Sequence, residues 1–411
     1  MSLAQACLLR FLELRPSMPL RPAPNAVPHR LGIGLAVAFV AGAPAAAQGE
    51  APLEPAASWA PGWLSLGGEL IYESTTVLDG GVRRGTSDRH LLLLGAEANL
   101  DQAFGTEGAG SLTLGFATAP PNSGGSLDIG DVQIASNIET DRSLDHILEF
   151  VWRSDLGGGP VELALGKLDA DDDFAAPRSA TGFSHSSAGF GPTIFTFPSY
   201  PEPATAACVF LDHGVSDGVD LRLGYGLFDG ALGADGISTG RRGPSSFISS
   251  SPSNDFFHIL QADLLLGGEE GSVFSAGAWY HDGRFSTFDG GEDVGTGGTY
   301  FVADVAVTDG WRAFTQVSFA DRELTEFGAH YGAGFVGPGP REEDEWGLYW
   351  SHVDLVSTAA PSDESAFDLY GRFQLTEHLA IQPELMWIRD PGGRTDIDDA
   401  TVAFLRLIAT F

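Results

Sequence analysis

Residues 167–173 read Lys-Leu-Asp-Ala-Asp-Asp-Asp, and Lys167 is the only lysine of the chain. One compact cation beside Asp169, Asp171, Asp172 and Asp173 suits a narrow aqueous passage, where charges of both signs face across the opening. Asp169, Asp171 and Asp173 also match the first three ligand positions of a calcium-binding loop. Phe174 stands where that loop turns on Gly, however, and Ala180 where it needs a bidentate Glu, so no metal is expected. Ser184, His185 and Ser186 set hydroxyls beside a base, yet adjacent residues in an extended chain point apart and no activating motif surrounds them. No catalytic residue and no cofactor are expected.

These residues lie in 169–205, a stretch without alternation that is rich in Asp, Ser, Gly, Pro and Phe. Compact domains rarely leave such a length irregular without a functional reason. Its rings, among them Phe174, Phe183 and Tyr200, offer apolar tracks to the C–H face of a sugar. Carboxylates and guanidinium groups exchange hydrogen bonds with its hydroxyls.

The flanking elements decide what such a loop can do. Between Gly-rich groups at 157–159, 267–268, 290–291 and 297–298, side chains alternate with period two. In 217–229, Val219, Leu221, Leu223, Tyr225 and Leu227 oppose Asp220, Arg222, Gly224 and Gly226; in 364–375, Phe367, Leu369 and Phe373 oppose Asp368, Tyr370, Arg372 and Gln374. Strands are expected near 62–74, 89–101, 109–118, 143–155, 160–168, 206–212, 218–229, 255–267, 271–282, 297–308, 310–320, 328–337, 344–357, 364–375, 379–389 and 399–411. The even number, the polar second face, and Trp63, Trp152, Trp279, Trp346, Trp350 and Trp387 near strand ends predict an all-β transmembrane antiparallel barrel with aromatic girdles. A long loop folded into its lumen would form the constriction. Inward parity adds Arg89, Glu97, Glu149, Arg153, Arg222 and Arg312 to Lys167, Asp169 and Asp173 as candidate lining charges. Lys167 shares the parity of lipid-facing Leu163 and Leu165, so either its strand ends early or a bulge turns it inward.

An apolar run from Leu31 to Ala41 follows Arg21, His29 and Arg30 and precedes Ala45, Ala46 and Ala47. This pattern predicts a signal peptide over 1–47, or from Met18, cleaved after Ala47, then a short segment 48–61 and the barrel 62–411. No later run is long enough for a helical span, so a membrane-resident mature chain must be a closed sheet. The formal net charge of −33, from 55 acidic against 22 basic residues, disfavours nucleic acid. It suits either solubility or acidic loops that bind divalent cations at a lipopolysaccharide surface and bias a pore toward cations. Cys208 is the single cysteine after the leader, so no internal disulfide is expected. The alternating strand that ends at Phe411 has the form by which assembly machinery recognises outer-membrane barrels.

The segments GDVQIASNIE (130–139), GKLDADDDFA (166–175), FPSYPEPATAA (197–207), GYGLFDG (224–230) and AIQPELMWIRDPGGRTDIDDA (380–400) resemble the carbohydrate-selective porins of the OprB type. The resemblance implies an outer-membrane porin of sixteen strands in a Gram-negative-type bacterium, passing monosaccharides such as glucose by facilitated diffusion. Cys208 departs from the family's Gly, and the chain is unusually acidic. A general cation-preferring porin for small solutes is the alternative, and association into a homotrimer stays open.

Overall fold

The computed structural model describes residues 54–55, 61–122, 124–230, 255–268, 271–288, 290–356 and 360–411. The leader expected over 1–47 and most of 48–61 lie outside the described residues. Sixteen antiparallel strands, each hydrogen-bonded to its chain neighbours, close into a barrel. They are β1 Leu64–Gly81, β2 Gly85–Asn99, β3 Ser111–Ala119, β4 Leu144–Asp155, β5 Val161–Leu168, β6 Ala204–Ser216, β7 Val219–Asp229 and β8 Phe256–Leu266. The second half comprises β9 Ser272–Ser286, β10 Glu292–Thr308, β11 Trp311–Ala320, β12 Phe327–Pro338, β13 Glu345–Leu355, β14 Glu364–Thr376, β15 Leu379–Arg389 and β16 Asp398–Thr410. A two-residue piece, Glu54–Pro55, pairs with the start of β1. The last strand returns to the first with Leu405 opposite Ser74 and Ala409 opposite Leu70. Phe411 then exchanges two backbone hydrogen bonds with Gly68, of 2.8 and 3.0 Å. Closure leaves no sheet edge, which a bilayer would not tolerate.

The alternation has its expected sense. On β14, Phe367 and Leu369 are exposed while Asp368, Tyr370 and Arg372 are buried; on β16, Leu405 and Leu407 face out, as does Phe411 just after it, and Phe404, Arg406 and Ile408 face in. Trp279 reverses the girdle expectation. It is buried on the inward face of β9 and stacks on Phe257 with ring centroids 5.8 Å apart. Gly297 and Gly298 lie inside β10, not in a turn, and a Cβ at Gly298 would meet first the backbone carbonyl of Phe319 on β11 and then Trp279 Nε1 at 2.6 Å.

At the end carrying both barrel termini the connections are mostly tight turns, the β2–β3 link with its helix Leu100–Phe104 being longer, whereas most connections at the other end are longer, the β1–β2 turn excepted. Two of these fold into the lumen: 120–143, after β3, and 169–203, after β5. The first holds a one-turn helix, Gly124–Ile129, and is tied to the far side by Glu364. That carboxylate accepts from the backbone N–H groups of Val132 (3.0 Å), Gln133 (3.2 Å) and Gly392 (2.6 Å) and from Gln133 Nε2 (3.1 Å). Only the second loop was expected inside.

Candidate functional site

The 169–203 loop crosses the lumen. Near its origin Phe174 packs between Phe210 on β6 and Phe228 on β7, at centroid distances of 5.7 and 6.4 Å. Farther along, Phe183 sits among Phe314 on β11, Tyr349 on β13 and Tyr370 on β14, the last edge-on at 4.8 Å. Both rings are almost wholly buried and anchor the loop, and Phe174 also borders the cavity beneath it. Polar ties complete the docking. Asp304 accepts from Ser179 N and Oγ, both at 2.7 Å, Gln382 Nε2 donates to Gly182 O at 2.9 Å, and Tyr349 Oη donates to Ser187 O at 2.7 Å.

Beneath the near half of this loop, strands β6 to β10 leave a cavity of about 280 Å³. Its lining includes Asp171, Asp172, Asp173 and Arg178 from the loop and Asp212, Arg222, Asp263 and Asp304 from the wall. A chain of ion pairs runs along its rim. Asp173 takes both terminal nitrogens of Arg153, at 3.1 and 2.8 Å, Arg153 reaches Glu162 at 3.3 Å, and Arg222 joins Glu162 (2.7 Å) to Asp212 (3.0 Å). Arg222 also lies 4.3 Å over the Phe210 ring, which fixes the guanidinium plane against the wall. Arg312 binds Asp304 through Nε at 2.8 Å.

A second, more apolar cavity of about 170 Å³ lies against β1 and β2, bounded by Ile71, Leu91, Leu93, Ile134, Phe190 and Tyr200. Asp171 lines both cavities.

Among the expected lining charges, Arg153, Asp173, Arg222 and Arg312 therefore converge on one site, whereas Arg89 does not. It is buried, bonded to Glu73 at 2.7 Å and facing Glu139 at 3.3 Å, while Arg406 bonds Glu73 at 2.5 Å and Asn137 at 2.6 Å. This quartet holds the 120–143 loop against β1, β2 and β16. Glu97 is half-buried near the turn between β2 and β3. Glu149 is buried opposite Gly115, beside a bulge that leaves Leu148 unpaired. The parity of Lys167 is resolved at the residue before it, not by a bulge in its own pairing with β4. Gly166 adopts φ 139°, a conformation other residues rarely reach, and the lysine is turned into the wall, where Nζ donates to Ile147 O. Asp169 is buried under the loop and accepts from Tyr200 N at 2.7 Å; burial and the neighbouring Asp171 push its carboxyl well above the usual range. Tyr200 is half-buried in the second cavity.

Ser184 Oγ donates to Glu384 at 2.6 Å, and among the described residues neither ring nitrogen of His185 has a hydrogen-bond partner. Hydroxyl and imidazole are thus committed to separate surroundings. Of the aligned Asp-X-Asp-X-Asp side chains, Asp169 and Asp171 meet the adjacent Tyr200 N and Ser199 Oγ, whereas Asp173 turns away to Arg153. Arg178, Asp212, Asp263 and Asp304 are lining residues that the sequence reading missed. Inward parity was available for the three aspartates; for Arg178, inside an irregular loop, no periodicity applies.

With this geometry in place, comparison with known proteins is informative. Residues 252–411 match the family described as carbohydrate-selective porin, OprB family. Of the motif segments, 380–400 lies within the matched residues. Pseudomonas putida OprB in its high-pH structure superposes with a TM-score of 0.68 at 15% identity, covering 85% of this chain and 94% of that chain. Its low-pH structure gives 0.50 at 13% identity, with 85% and 92% covered. At these identities the likeness speaks for the barrel fold. No curated protein sequence matches the chain.

Proposed function

We propose that the protein is an outer-membrane channel for facilitated diffusion of carbohydrates of monosaccharide size. The observation that carries this reading is the cavity under the 169–203 loop, where fixed guanidinium and carboxylate groups present donors and acceptors matched to hydroxyls. The family match over residues 252–411 supports the same substrate class. Selectivity then comes from replacing a sugar's hydration shell by these oriented groups inside a narrow passage, with no chemical step. The expected leader, the acidic loops facing lipopolysaccharide and the strand ending at Phe411, read by assembly machinery, fit a diderm outer membrane. The separate commitments of Ser184 and His185 favour a channel over a hydrolase.

A general cation-preferring pore is the second reading, favoured by the acidic excess around the same cavity. Liposome swelling separates the two. Sugars should enter faster than amino acids of equal mass, and equal rates would defeat carbohydrate selectivity.

A further inference from the structure

We infer that the solute this cavity admits best is a sugar carrying a protonated amino group. The inference rests on the carbohydrate-channel reading and narrows it.

Six aspartates line the cavity against two arginines. Glu162, Arg153 and Arg312 bond to lining residues from just outside, which brings the local set to seven carboxylates against four guanidiniums. The pairing is also uneven. Asp173, Asp212 and Asp304 are bound by arginines, but Asp171 accepts from Ser199 Oγ and Asp263 from Gln261 Nε2, at 2.9 Å for the latter. Among the described residues neither forms an ion pair. A carboxylate held only by neutral donors keeps its charge available, and an ammonium is a compact triple donor that such a pair attracts. Arg178 and Arg222 remain on the same surface to receive hydroxyls. A neutral sugar uses only the hydroxyl part of this arrangement, and a uronate meets the acidic excess as repulsion. The cavity is walled on several sides, so the attraction is screened less than at an open surface.

Planar-bilayer recordings of the purified full chain test this. Under a gradient of glucosamine hydrochloride near 0.1 M, the reversal potential yields the permeability of glucosaminium relative to chloride. A ratio of at least about fivefold is expected, falling towards one when the gradient is set near 1 M salt, where the screening length shrinks from about 10 to 3 Å. The double variant Asp171→Asn/Asp263→Asn should lower the 0.1 M ratio at least about twofold. A wild-type ratio at or below one, or a high ratio insensitive to salt and to the double variant, overturns the inference. Should the variant fail to insert, the salt dependence and the order glucosamine, N-acetylglucosamine, glucuronate in the wild type decide the matter. Glucose swelling is run in parallel. Absence of glucose entry counts against the channel reading itself, whereas glucose entry with a ratio of one removes only the amino-sugar preference.

Discussion

Replacing Asp173 by Asn removes the loop's end of the ion-pair chain. In the native protein both oxygens of Asp173 meet Arg153, and the two side chains are 11% and 26% exposed. A fully exposed pair would be worth about 0–1 kcal/mol. Charge-assisted hydrogen bonds between partly buried groups are worth about 1.5–3 kcal/mol. Asn keeps one acceptor for Arg153, and Arg153 keeps Glu162 at 3.3 Å, so part of this survives. The expected net loss of docking energy is about 1–2 kcal/mol, a rise of about five- to thirtyfold in the population with the near end of the loop released. Release should stay local, because Phe174 remains wedged between Phe210 and Phe228 and the far end is held at Phe183. Single-channel recordings should show added time in higher-conductance levels, and hydrogen exchange in 171–176 should accelerate by a similar factor while 182–188 stays protected. An unchanged conductance histogram together with unchanged exchange would refute the assignment of this pair as the clamp on the loop.

Arg222 and Lys167, which look alike as isolated cations, should respond differently. Arg222→Gln, altering the cavity lining, should change conductance and sugar block, whereas Lys167→Met, buried at the β4 bulge, should leave both near wild type in recordings of inserted channels. Acid should loosen the far half of the loop through His185. Burial holds its imidazole down at about 3 from the ordinary 6.5, with His330 and Asp368 facing it from β12 and β14. A histidine kept neutral when docked favours docking fully above pH 6.5 and progressively less as pH falls from 6.5 towards 3. The protection factor at 182–188, taken relative to intrinsic exchange at each pH, should therefore fall between pH 7 and pH 4 in the wild type and fall less in His185→Leu.

Much of the barrel was legible because its signal is local. All sixteen strands fall within a few residues of their expected places, since lipid outside and polar groups inside impose period two on each strand independently. β1 runs on to Gly81, beyond its expected end at residue 74, because its polar upper part, including Thr75 and Thr76, becomes strand by pairing with β2 on one side and β16 on the other. Trp279 and Gly298 escaped for a related reason: an inward tryptophan and a glycine that makes room for it belong to adjacent strands, and neither sequence neighbourhood announces the other. The 120–143 loop was missed inside the lumen because its partners are remote. Glu364 lies 232 residues from Val132, and Arg406 lies 269 from Asn137.

Parity alone could not rank the inward charges, and the reason is physical. A loop brought into a lumen carries backbone donors and acceptors that must be satisfied there, and inward polar side chains of the barrel are the groups at hand. Glu364 does this directly, Asp304 does so while also lining the cavity, and Arg89, Glu73 and Arg406 do it by fixing Glu139 and Asn137. Such residues have the same spacing as Arg222, Asp212 and Asp263, which face the cavity. What separates the two sets is which stretch of wall the loops cover. It follows that shortening a loop would change the passage in two ways at once, by widening it and by uncovering charges that now serve as anchors. Changes to loop 120–143 should thus expose the Glu73–Arg89–Arg406 cluster and add charge to the water path, whereas changes near Ser179 should enlarge a path that is already acidic.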